Sequence, residues 1–408
     1  ALHMFFQNPF YENKKDYDVL FFGSSHPHVG IDPYLLWDEY GITSYNLGSS
    51  GEQLGMIYYS VKSALDNSSP KLIVVDPGSG AKTKLGDAHK ALDAMPYGPT
   101  KSEAIAYLIK HEITDEPLDF LSSLWTYHGR IFSLDKYDFT ITESADRGGD
   151  IGVRIYNNVK VPLPAEVEAD IGNKEGSFEM YKKIVALCKE RGVELLMCTV
   201  PTAGGAYTEE KQAVYKVFAD YTRSQGFNAI DMNTLNDEVG LDYDYDYSNG
   251  THLNKMGAWK TSEFLAKYLI NNYGLEDHRN DENYSRWDED RYALTKEIEY
   301  YLEEENEIVR TIMRSKDKNL KSEVYLKDDS YLESVYGLEK VIEFSGATLS
   351  TDGSNVPDDK EAFVRVIDTV TGETVIENYY SYNKDDETLT VDGEAAKSVN
   401  FFPEVDDD

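Results

Sequence analysis

Across the first 275 residues the apolar positions keep two alternating rhythms. Short unbroken runs cover residues 17–23, 43–47, 72–75, 193–200 and 228–231, as strands buried on both faces do. Between them, residues 32–40, 52–65, 176–191, 209–224 and 253–269 repeat apolar side chains three and four apart, the mark of one-sided helices. Leu54, Ile57, Tyr58, Val61 and Leu65 share one such face, and Asp32 before Pro33 reads as a helix start. The first three runs exit into glycine and serine, at Gly23-Ser24-Ser25, Gly48-Ser49-Ser50-Gly51 and Gly78-Ser79-Gly80. Strand and helix in this alternation predict an α/β fold, a doubly wound parallel sheet whose strands open at one common edge.

The beat breaks over residues 81–168, which read as a long insertion leaving that edge. Helices are expected there over 102–110 and near 118–124, with extended pieces over 137–142 and 152–156. Such an excursion is either a lid or substrate platform, or plain packing. After residue 275 the character changes. Residues 277–287 read as polar linker and 288–316 as a charged helix whose apolar positions keep only a loose helical period. From 327 onward, alternating β-branched runs over 340–344, 362–368, 373–378 and 388–391 predict a small β-rich domain. Turn signals at Asp352-Gly353, Thr371-Gly372 and Asp392-Gly393 separate them. The predicted organisation is therefore 1–275, 276–326 and 327–408.

Composition narrows the partners. The chain of 408 residues carries 74 acidic against 40 basic side chains, a formal net charge of −34. Such a surface repels phosphate backbones and anionic lipid, so nucleic acid is not an expected partner. It suits an extracellular or cell-surface protein, although solubility alone explains it too. Cys188 and Cys198, the only cysteines, fall in a helical and a strand pattern and read as small core hydrophobes. No run of about 18 apolar residues is present to cross a bilayer as a helix. The chain opens Ala1-Leu2-His3-Met4, which is read as a start downstream of a signal or membrane anchor.

The candidate chemistry sits on the glycine-serine exits. A serine at the end of a buried strand needs a base to take its proton, and His252, in Ser248-Asn249-Gly250-Thr251-His252, arrives just before the last helix. By themselves these two read first as a turn serine and a surface histidine. His26 and His28 flank Pro27 and invite a metal reading with His252 and Asp246, but no further histidine pair or cysteine cluster joins them, so no metal is assigned. Tyr243, Tyr245 and Tyr247 suit either sugar stacking or a half-buried loop.

Gly23-Ser24-Ser25 at the first strand end resembles the opening block of the SGNH (GDSL-like) hydrolase superfamily. Its serine in place of the usual aspartate is similar to extracellular acyl-transfer members of the D-alanyl-lipoteichoic-acid and alginate O-acetyltransferase types. Asn46-Leu47-Gly48-Ser49-Ser50-Gly51 stands at the second block, Asp76-Pro77-Gly78-Ser79-Gly80 at the third, and His252-Leu253-Asn254 at the closing one. The likeness covers residues 17–271. It implies Ser25 as nucleophile, His252 as base, and an oxyanion hole with the Gly48 N–H. It departs at two places. Asn249 stands where the family has aspartate, leaving Asp246 as the nearby source of negative charge. The third-block asparagine is missing, so Ser79, Gln53 or backbone N–H groups of the second block are the candidates for that donor, whose loss costs about 3–4 kcal/mol in known hydrolases. His26, and His128 with Arg130 in the insertion, are candidate substrate contacts. The resemblance implies a serine esterase or O-acyltransferase acting on acylated polysaccharide of the cell envelope, without a cofactor, and with a membrane-bound acyl-transfer partner in the transferase case. The rival expectation is a catalytically silent member of the fold that binds polysaccharide or protein.

Overall fold

The computed structural model describes residues 10–11, 17–78, 84–115, 120, 148–149, 158, 160, 162–163, 167–243, 246–285 and 287, together with the backbone of eight strands between 297 and 395. Ser79, His128, Arg130, Tyr245 and the pieces expected over 137–142, 152–156 and 340–344 lie outside the described residues, as does 118–124 apart from buried Phe120. The described residues divide into two compact units, one through Trp287 and one from Glu297.

The first unit is a mixed α/β structure around a five-stranded parallel sheet. Its strands are β1 (Val19–Phe22), β2 (Ser44–Asn46), β3 (Leu72–Val75), β4 (Glu194–Thr199) and β5 (Asn228–Asp231). They lie in the order β2-β1-β3-β4-β5, every neighbouring pair parallel. The chain winds outward in both directions from the β1–β3 junction, where crossovers diverge and leave a crevice beyond the strand ends. Alternation along each strand sorts its side chains to two separate cores. Leu20, Phe22, Ile73, Val75, Leu195 and Met197 face one; Val19, Phe21, Leu72, Val74, Leu196 and Cys198 face the other. The continuous apolar runs follow from this, because both faces are covered.

Helices α1 (Ser25–Gly30) and α2 (Pro33–Tyr40) follow β1, with Asp32 capping α2 through its contact with the Tyr34 N–H at 3.0 Å. Next come α3 (Leu54–Asn67), α4 (Leu85–Leu92), α5 (Pro99–Lys110), α6 (Glu175–Arg191), α7 (Glu209–Ser224), α8 (Asn236–Val239) and α9 (Lys255–Tyr273). Cys188 and Cys198 are buried free thiols, and burial pushes Cys188 up to about 12.

Within the expected insertion, residues 85–110 are not a lid but take the packing alternative: α4 was not expected, α5 agrees with the helix read over 102–110, and Ala88, Ala91 and Leu92 of α4 and Ala104 and Leu108 of α5 are buried in the first core. The small alanines mute the helical signal, yet they let these helices pack closely. Residues 277–287 are not a free linker either. His278 is buried, with its Nε2 2.8 Å from the Asp18 carboxylate, and Trp287 is buried with its ring stacked on Trp37 at 5.5 Å.

In the second unit, the expected charged helix over 288–316 is replaced by an antiparallel hairpin, β6 (Glu297–Glu303) with β7 (Ile308–Arg314). The sequence explains the change: Ile298, Tyr300 and Leu302 alternate with Glu297, Glu299 and Glu303, a period of two. Then β8 (Leu320–Leu326), β9 (Tyr331–Tyr336), β10 (Asp359–Asp368), β11 (Thr374–Asn383), β12 (Thr388–Val391) and β13 (Glu394–Ala395) form an antiparallel sheet in the order β13-β12-β11-β10-β8-β9. The β-rich part therefore begins well before residue 327.

Candidate active site

The end of β1 delivers Ser25 to the crevice. Gly23 makes the exit possible: a Cβ there would stand 2.5 Å from Pro27 Cγ and 3.0 Å from the Asp76 carbonyl oxygen, too close for any side chain without a shift. Ser25 then opens α1, and its hydroxyl stands half-buried at the sheet edge.

His252 reaches the same edge from the loop before α9. An antiparallel bridge between Tyr247 and Leu253 pinches this loop, and the Ser248 N–H donates to the His252 carbonyl at 2.9 Å. The result places His252 Nε2 2.6 Å from Ser25 Oγ, across 227 positions of sequence.

Asn249 orients the ring. Its Oδ1 accepts from the Thr251 N–H at 2.9 Å and the His252 N–H at 3.0 Å. Two backbone donors converging on one atom identify it as the oxygen. The same oxygen lies 3.1 Å from His252 Nδ1, and the Thr251 hydroxyl, which donates to that oxygen at 3.1 Å, lies 2.9 Å from Nδ1; with only acceptors facing it, Nδ1 is assigned the proton and Nε2 the acceptor role toward Ser25. A base in this tautomer can take the hydroxyl proton directly.

Asp246 does not supply the missing negative charge. It is buried, with one carboxylate oxygen 2.6 Å from both Lys260 Nζ and the Asp242 N–H. Burial raises its pKa and Lys260 opposes that rise. The loop folds toward α9, so Asp246 ties it down there rather than meeting the imidazole. Tyr243 and Tyr247 are likewise buried, stacked on each other at 5.5 Å, and offer no ring to a sugar.

The oxyanion candidates are engaged locally. Gly48 N–H donates to Asn46 Oδ1 at 3.0 Å, and Gln53 Nε2 donates to the Gly51 carbonyl at 2.9 Å. His26 stacks on His252 with centroids 4.9 Å apart, packing one side of the catalytic-type ring rather than opening toward a ligand. Burial, then His252 and Lys211, hold His26 down at about 3, so it stays neutral. Among the described residues no three histidine, cysteine or acidic side chains form a metal-binding group.

Three contributors escaped the sequence reading. Asp76, at the end of β3, is buried and accepts from the Val200 N–H at 3.0 Å and the Gly78 N–H at 2.8 Å, bracing the strand ends beside the serine; burial pushes its carboxyl up to about 6. An acid ending an apolar strand was its visible signal. Asn46 bonds both the second-block loop and α1. Lys211, in the first turn of α7, acts through its field: burial first, then Lys211, lower the His252 pKa. A nearby cation disfavours imidazolium, so removing it must raise that pKa. In Lys211→Met the acid limb of a pH–kcat/KM profile should therefore move to higher pH; an unmoved limb contradicts this placement of the charge.

The fold and this serine–histidine pair define an α/β protein with a nucleophile-and-base arrangement at the sheet's switch point. No protein-family model and no curated protein matches the chain. Among solved structures it is similar to a putative acylhydrolase from Bacteroides fragilis, at 10% identity and a TM-score of 0.34, covering 64% of this chain and 94% of that one. It is also similar to a GDSL-like lipase from Bacteroides thetaiotaomicron, at 11% identity and a TM-score of 0.32, covering 65% and 91%. A gut microbial diltiazem-metabolizing enzyme stands at 10% and 0.33, covering 81% and 72%. At such scores the functional reading rests on the geometry alone.

Proposed function

We propose that this chain is a serine acylhydrolase of the SGNH type, cleaving esters through an acyl-enzyme. The observation that carries the reading is the 2.6 Å contact of Ser25 Oγ with His252 Nε2, in the tautomer that accepts a proton. Ser25 Oγ bonds to the ester carbonyl carbon as His252 takes its proton. The tetrahedral adduct then expels the alcohol, to which His252 returns that proton. Water attacks the acyl-enzyme with His252 again as base, releasing the acid and restoring Ser25. In the first turn of α1, Pro27 has no N–H and the His28 N–H donates to the Ser24 carbonyl at 3.4 Å, so the Ser25 and His26 N–H groups are the donors left to meet an oxyanion forming on Ser25.

The finer reading is an O-ester of an acylated carbohydrate outside the cell, with a sugar hydroxyl replacing water when the enzyme acts as an acyltransferase. The −34 net charge supports it only by disfavouring polyanionic partners. Asn249 in place of a carboxylate favours a second reading, a silent carbohydrate- or protein-binding member of the fold.

Turnover of 4-nitrophenyl acetate, with fluorophosphonate labelling mapped by peptide mass, separates the two. The enzyme reading expects label on Ser25 and turnover that Ser25→Ala abolishes. Equal rates in wild type and Ser25→Ala, with no label at Ser25, would leave the binding reading standing.

A further inference from the structure

We propose that Asn46 is a positioning residue, which sets the place of the nucleophile by holding α1 against the second-block loop; this rests on the acylhydrolase reading. Asn46 ends β2 and is fully buried, 1% exposed. Asparagine is a poor strand residue, and a buried carboxamide is costly unless its polar atoms are bonded. Here both ends are bonded, and to different segments. Nδ2 donates to the Pro27 carbonyl at 2.7 Å and the Ile31 carbonyl at 3.0 Å, while Oδ1 accepts from the Gly48 N–H at 3.0 Å.

The two carbonyls belong to α1 and its C-cap; the Pro27 carbonyl also accepts the Ile31 N–H at 3.2 Å, so Asn46 Nδ2 joins the bond that closes the helix. A six-residue helix is too short to be held by internal hydrogen bonds, so outside ties decide its pose. Asn46 is therefore a clamp between the segment that begins with Ser25 and the loop beside it. Gly148 and Gly149 close over the clamp from the insertion. Gly148 bridges Asn46 in parallel fashion, and a Cβ at Gly149 would stand 3.2 Å from Nδ2 and 3.0 Å from the His28 carbonyl. Both glycines have positive φ, 70° and 84°, a conformation that keeps other residues out of this cover.

Ser25 moves with α1, and so does His26, whose ring packs on His252. Loosening the helix thus disturbs the 2.6 Å contact and uncovers the His252 ring together. A misplacement of about 1 Å can cost roughly 10²-fold in rate.

The test compares Asn46→Ala and Asn46→Asp with Thr222→Ala. Thr222 is a buried residue bonded to Tyr181 in the first core, and its replacement serves as a control for stability loss alone. Two readouts are kcat and KM for 4-nitrophenyl acetate, and the His252 titration followed by NMR. Asn46→Ala should lower kcat by about 10–100-fold with KM held within about threefold, and move the His252 pKa up toward its ordinary value. Asn46→Asp should do worse, because a carboxylate facing the Pro27 and Ile31 carbonyls repels both. Thr222→Ala should lower the melting temperature and change neither readout. Unchanged kcat and unchanged His252 titration in Asn46→Ala, in a wild type that turns over, would overturn the clamp and leave the acylhydrolase reading intact. Absence of wild-type turnover and of Ser25 labelling overturns the latter instead, and the NMR titration then decides the clamp by itself.

Discussion

His252→Ala is expected to lower kcat for ester hydrolysis by about 10²–10⁴-fold, the usual contribution of a positioned base. The fold should survive, because the ring is half-buried at the crevice and contributes no core packing. Without Nε2 at 2.6 Å, the Ser25 hydroxyl has no acceptor for its proton and is a poor nucleophile at neutral pH. Ser25→Ala should cost a similar factor, and the double variant little more than either, since the two groups act in one step. Steady-state rates for the three proteins check this. Near-multiplicative losses in the double variant would mean that serine and imidazole act separately. Because the His252 pKa lies below its ordinary value, wild type should keep activity to lower pH than an unperturbed imidazole allows.

The second large effect is on stability. Glu52 follows the second-block loop, is fully buried, and accepts from Ser60 Oγ at 2.6 Å. Burial, opposed by that hydrogen bond, pushes its pKa up from 4.5 to about 8. A carboxyl with a raised folded-state pKa must take up a proton on folding. Stability from this group is greatest below pH 4.5, falls as pH rises to 8, and is level above that. The full swing is on the order of 5 kcal/mol. Glu52→Gln removes the titration while keeping the shape, so it should gain over wild type steadily across that window. Denaturant melts of both proteins at pH 4.5, 6 and 8 measure it; a difference that stays constant with pH would show that Glu52 does not titrate as assigned.

Much of the architecture was legible from periodicity. The limits of α7 and β5 agree with the runs read at 209–224 and 228–231, because an amphipathic helix and a short strand each write their period locally. The hairpin of β6 and β7 was missed where charge masked a period of two, and α4 was missed where its buried face is mostly alanine. At the site, Ser25 and His252 could be singled out because each ends a recognisable exit or loop. Asp246 could not be judged, since Lys260, fourteen residues on, decides where its carboxylate points. Nor could Gly48, whose N–H faces a side chain two residues back that local pattern does not orient.

The order of β-runs, helical stripes and glycine-serine exits was determined by the sequence itself, through side-chain spacing that any short window contains. Which residues meet was decided only in three dimensions: His252 on Ser25, Asn46 on Pro27 and Ile31, Asp18 on His278. Hydrogen bonds run over about 3 Å and need particular orientations. Their partners are brought together by the packing of the sheet and its two cores, and the spacing of residues along the chain carries no record of that approach.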